Sequence, residues 1–135
     1  MTTLTAFVTA LGSLTVTGVL HTFSGPPTSL NDADLPSMWV QLPMSDEAPL
    51  TLDGVGGWPV LKAQIVIAYQ ASAQGTQAEN WAGTLAMLDA LATALHNTTR
   101  GQLSKGALSW SVKPGQVTVA GVDYWAVVAD VVGNG

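Results

Sequence analysis

Three glycines in four positions, Gly54, Gly56 and Gly57, precede Trp58-Pro59 and an apolar run in "LDGVGGWPVLKAQIVIAYQ", Leu52 to Gln70. Glycine-rich turns beside apolar strands are one way to cradle phosphate. A phosphate loop, however, follows a strand and opens a helix, whose N-terminal N–H groups hold the anion. Here the glycines come before the predicted strand, no Lys-Ser/Thr follows, and Asp53 beside them would repel phosphate. The alternative is a tight loop in which glycine supplies positive φ angles. On that reading the glycines release the chain into its longest strand, and the loop is a contact loop.

The histidines are the next candidates. His21 falls at the end of the first apolar stretch and His96 at the end of the long predicted helix. Neither has a metal-ligand neighbour at i+2 to i+4. Asp32 and Asp34 could join His21 in space, but their spacing does not require it, and a basic group near a helix C-terminus is itself mildly stabilising. Asp46-Glu47 and Asp32/Asp34 lie on Pro-rich stretches, where solvated turn residues are the common case. No Gly-x-Ser-x-Gly elbow is present, and without cysteine there is no Cys/His pair, disulfide or thiolate metal site. These patterns assign no catalytic, cofactor-binding or metal-binding residue.

Five tryptophans remain. Trp81, Trp110 and Trp125 fall on predicted core faces. Trp39 alternates away from Met38, Val40 and Leu42, and Trp58 sits at a strand mouth. Exposed or half-exposed tryptophan favours contact surfaces. Trp39, Met44, Trp58 and Pro59 are therefore the candidate subunit or partner contacts.

The elements that must position these residues are read from periodicity. Leu4, Phe7, Val8 and Leu11 predict a short helix capped by Thr3 and ended by Gly12. "SLTVTGVL" alternates and predicts a strand, with Gly18 its weak point. "SGPPTSLNDADLP" predicts an irregular, exposed connection. "SMWVQLP" predicts a short strand closed by Pro43, and Trp58 to about Gln70 the longest one. That strand sets Leu61, Ala63, Ile65, Ile67 and Tyr69 against Lys62, Gln64, Val66, Ala68 and Gln70.

Thr76-Gln77-Ala78-Glu79 fits a capping box. Trp81, Leu85, Leu88, Ala92 and Leu95 follow as a helical stripe, widened by Met87 and Leu91. The last third predicts strands over "ALSWSVK", "QVTVAG" and "VDYWAVVADVV", with a turn at Pro114-Gly115. Runs of adjacent strands between two helices predict a single α+β domain over residues 1–135. Its sheet is mainly antiparallel and packed on one face by the two helices. The other face is expected to carry Thr15, Thr17, Gln41, Gln64, Ser109, Ser111 and Thr118.

Composition narrows the function classes. Apolar residues make up 47 % of the chain and charged residues only 10 %, against about 25 % charged in an average soluble domain. So little charge predicts burial against copies or partners. Four basic against nine acidic residues, net −5, oppose a phosphate-backbone binding face. The first 31 residues lack Asp, Glu, Lys and Arg, yet Thr, Ser, Gly and Pro break them and no positive n-region precedes an apolar core. A soluble protein made inside the cell, with no membrane span, is expected.

The order of elements, the Asn80–Leu95 helix and the terminal "AGVDYWAVVADVV", with its G-x-x-Tyr-Trp-x-Val at Gly121–Val127, resemble the tail terminator proteins of long-tailed bacteriophages. These are also called tail-completion or lambda-type minor tail proteins, and the resemblance of pattern covers nearly the whole chain. It implies a hexameric ring in the virion, at the head–tail junction, assembled in the host cytoplasm. Such a ring caps the finished tail tube, stops its polymerisation and meets the head–tail connector or neck proteins. Genomic DNA passes through the channel without adhering, which an acidic ring would favour. The family has no catalytic residues, so no position here inherits one and no enzymatic activity is implied. Another phage neck or head–tail connector protein, and a small ligand-binding or enzymatic domain, are the alternatives.

Overall fold

The computed structural model describes residues 4–30, 35–43, 49–51, 60–71, 81–99 and 109–134. The glycine-rich stretch, the capping box, Asp32, Asp34, Asp46-Glu47, Met44, Trp58 and Pro59 lie outside the described residues.

Two helices and six strands follow in the order α1 (Leu4–Gly12), β1 (His21–Thr22), β2 (Ser37–Gln41), β3 (Leu50–Thr51), β4 (Val60–Ala71), α2 (Trp81–Thr99), β5 (Ser109–Val119) and β6 (Val122–Asn134). The sheet order is β1-β2-β4-β6-β5, with β3 beside β4 off this path. Every pairing is antiparallel except that of the two-residue β1 with β2. Both helices pack on one face, so the α+β class and the one-sided helical layer are as the sequence predicts. Among the described residues no helix is long and apolar enough to cross a membrane.

β4 lies between β2 and β6 and is apolar on both faces where it is most enclosed. Leu61, Ala63, Ile65 and Ile67 join Met38, Val40, Val127, Ala129 and Val131 beneath the helices. Phe7 and Leu11 of α1 and Met87, Leu91 and Leu95 of α2 close that core. Burying a side chain of the Phe7 or Leu11 kind contributes about 1.5–3 kcal/mol, which holds the nine-residue α1 in place where its short length alone would not. The predicted α1 stripe is the one observed.

Four expectations are corrected. "SLTVTGVL" is not a strand: Gly18, at φ 92°, turns the chain, and the Val19 N–H bonds back to the Val16 carbonyl at 3.3 Å. Val16 is buried in the main core, with Leu14 and Val19 packed against it. Only His21–Thr22 extends the sheet.

Pro114-Gly115 is not a turn either. β5 runs through it, and the hairpin reverses at Ala120 (φ 53°) and Gly121 (φ 79°). Two successive positive φ angles match the twist of paired strands. The displaced turn alters the side on which the following residues fall: Thr118 shares the side of Trp110 and Val112, not that of Ser111.

On α2 the buried stripe is Thr84, Met87, Leu91, Ala94 and Leu95, while Trp81 and Leu85 remain 62 % and 42 % exposed. The cause is Tyr69. It is the extra residue of a bulge between Ala68 and Gln70, and its hydroxyl meets Thr84 Oγ1 at 2.6 Å. Thr84 therefore faces the sheet and Leu85, about 100° further round the helix, cannot. Trp110 packs against the core as expected, and Trp125 is half-buried.

Finally, the connection before β2 is not simply exposed. Phe23, Leu30 and Leu35 pack against a second apolar cluster, formed on the sheet face away from the helices. Trp39 lies in that cluster with Val66, Ala68, Tyr124, Ala126 and Val128, and is only 2 % exposed. It alternates away from the main core as predicted, but the chain itself covers it. The indole therefore leaves no surface for a neighbouring chain.

Candidate functional site

The face away from the helices divides in two. The half under Phe23, Leu30 and Leu35 is apolar. Beyond it, register sets Gln41 opposite Gln64, Gln64 opposite Asp130 and Asp130 opposite Ser111, one polar row across β2, β4, β6 and β5. Directly opposed side chains on one sheet face lie within reach of each other, and here they bond in series. Trp39 Nε1 donates to Gln41 Oε1 at 3.0 Å, Gln41 Nε2 to Gln64 Oε1 at 3.0 Å, and Gln64 Nε2 to Asp130 Oδ1 at 2.8 Å.

The direction of this series is set by its ends. An indole N–H can only donate, so Gln41 presents its oxygen to Trp39 and its nitrogen to Gln64. Gln64 must then present its own nitrogen to Asp130, whose carboxylate only accepts. The row orients both amides without ambiguity. Lys113 Nζ lies 3.5 Å from Asp130 Oδ2, with the two side chains 64 % and 40 % exposed. So open an ion pair adds little stability, but it ends the row in a neutral pair.

A cavity of about 1300 Å³ lies over this row. It reaches Val8 and Thr9 of α1 and is lined by Pro26, Pro27, Leu42 and Pro43 and by Gly115–Val119 of β5. Lys113 is the one charged group among its described lining residues. Among the described residues each glutamine of the row keeps one N–H without a partner, so the floor can hydrogen-bond a neutral group. The shape and polarity suit a largely apolar, uncharged molecule or an extended peptide.

Among the described residues no three His, Asp or Glu side chains converge as a metal site would require. His21 is exposed on β1, edge-on to the Phe23 ring at 4.4 Å between centroids. His96 is exposed on α2. The two histidines sit on separate elements and neither lines the cavity.

Of the four candidate contact residues, Trp39 is buried and contributes its indole to the start of the polar row. Sequence reasoning placed Gln41 and Gln64 on this face and Lys113 on the side of Ser111, but missed Asp130. The signal was available. In "AVVADVV" Asp130 alternates against Val127, Ala129 and Val131, so a carboxylate inside an apolar run had to share the side of Gln64.

Comparison with models of known protein families finds no match, and no curated protein matches this chain.

Proposed function

We propose that this chain is a structural subunit, a tail terminator of a long-tailed bacteriophage. Six copies form a ring that caps the tail tube, stops its growth and joins it to the head connector at the head–tail junction. The observation that carries this reading is the apolar step of Trp81 and Leu85 on α2, 62 % and 42 % exposed. In a chain that is only 10 % charged, a tryptophan and a leucine one helical turn apart call for an outside partner. The α+β build, with two helices on one face of the sheet, agrees with the pattern that suggested the family. No side chain takes a catalytic role, no cofactor is involved, and DNA only traverses the channel.

Electron microscopy of the purified protein tests the class: rings with a central channel are expected. In a phage lacking the protein, tails grow beyond their normal length. Tails of normal length would remove the reading. Location of the protein on the head side of the joint would favour a different neck or connector protein.

The cavity beside Lys113 favours a second reading, a small ligand-binding domain. It predicts a monomer that binds a neutral, largely apolar compound and shows no association with tails.

A further inference from the structure

The outer edge of β5 is the longest unpaired edge among the described strands. Its hydrogen-bonding pattern follows from the turn. In a two-residue hairpin the flanking residues, here Val119 and Val122, exchange both main-chain bonds. Alternation then directs the odd-numbered residues of β5 toward β6. Trp110, Val112, Pro114, Gln116 and Thr118 turn their main-chain groups outward. Pro114 fits this assignment, because a proline within a strand is tolerated where the missing N–H faces away from the ladder. Among the described residues no main-chain hydrogen bond reaches this outer edge.

We propose that β5 pairs antiparallel with β5 of a second copy, about a two-fold axis through Pro114. Pro114 is the middle residue of the strand Ser109–Val119. Turning a copy about it sets Trp110 opposite Thr118 and Val112 opposite Gln116, twice over, for about eight main-chain hydrogen bonds. The two missing donors then meet each other, so one rung is lost. Any shifted register sets each proline against a residue with a donor to offer, and weakens two rungs. The strand is thus self-complementary in a single register.

Two further observations favour this occupant. Among the described residues the opposite margin of the sheet offers the two-residue strands β1 and β3 and the three residues of β2 that β1 leaves uncovered, too short for head-to-tail continuation of an eleven-residue edge. In addition, α2 packs over β5 and β6, so the axis brings both copies of α2 onto one face of the joined sheet. The pairing does not depend on the tail assignment. A two-fold contact cannot join neighbours within one six-fold ring, so it predicts free dimers, or two rings joined face to face.

The test uses the full chain. By light scattering the wild type is expected at an even multiple of the monomer mass. Gln116→Pro removes an outward N–H while leaving the bonds to β6 in place, and halves that mass; Gln116→Ala keeps the N–H and the mass. Pro114→Cys supplies an independent readout, because the chain has no other cysteine. Opposed residues across the axis are spaced for a disulfide, so mild oxidation gives a covalent dimer that Val122→Cys, at the exposed hairpin tip, does not. A monomeric wild type, or Pro114→Cys crosslinking no better than Val122→Cys, overturns the pairing. Rings whose mass ignores Gln116→Pro overturn it too, yet leave the tail reading standing. Dimers that do not associate with tails do the reverse.

Discussion

Gln64 Nε2 donates to Asp130 Oδ1 at 2.8 Å, the last bond of a one-way series that starts at the Trp39 indole. Because each member orients the next, the row ties three strands together at one register, where a one-residue slip would bring Ile65 to this face.

Gln41→Leu leaves the indole N–H of the enclosed Trp39 without its acceptor. It is expected to cost about 1–3 kcal/mol, more than Gln64→Leu, whose orphaned partners reach water. The double variant should cost less than the sum of the two, because the groups act as one network. Urea midpoints at unchanged m-value measure all three.

The Tyr69–Thr84 bond ties the β4 bulge to the first turn of α2 at 2.6 Å. Tyr69→Phe and Thr84→Val should each cost about 1 kcal/mol. The double variant should cost about as much as either single one. Additive losses in a thermal melt would show that the two hydroxyls do not act on each other.

Gly18 holds φ 92°, and a Cβ there would meet the Met87 methyl at 2.8 Å. The methyl is the far end of a flexible side chain and can move away, whereas the backbone angle cannot relax. Gly18→Ala is therefore expected to cost about 1–3 kcal/mol, and Met87→Leu should not restore the loss. Gly25→Ala meets nothing within 4 Å and should remain within about 0.5 kcal/mol of the wild type. Chemical denaturation of the three variants checks this.

Trp39 and Trp81 are the extremes of tryptophan exposure among the described residues, at 2 % and 62 %. Acrylamide should quench a component of the fluorescence that Trp81→Phe removes and Trp39→Phe leaves. Trp39→Ala is expected to cost about 3–5 kcal/mol through the cavity it opens, whereas Trp81→Ser should barely alter the stability of the isolated chain. If assembly fails in Trp81→Ser at unchanged stability, α2 is a contact surface.

Much of the fold was legible. α1, β2, β4 and the faces of β4 follow from periods of 3.6 and 2 in residues such as Phe7, Leu11, Ile65 and Ile67. The candidate site was half legible. Gln41 and Gln64 were visible as polar residues at matching parity, but the row needs Asp130 opposite Gln64, and that pairing joins strands 66 residues apart. "SLTVTGVL" misled because alternation reports which residues face inward, and buried Val16 satisfies it equally well in a turn.

By itself, then, the sequence determined the side of each strand residue, the two helices and the shortage of charge, because these depend on local spacing and composition. Only the tertiary structure decided which apolar side chains the chain could cover. Trp39 and Trp81 looked alike in kind and were assigned oppositely. Phe23, Leu30 and Leu35 close over Trp39, while Trp81, the first residue of α2, stays exposed. Burial depends on what arrives from distant parts of the chain, and no local period records that.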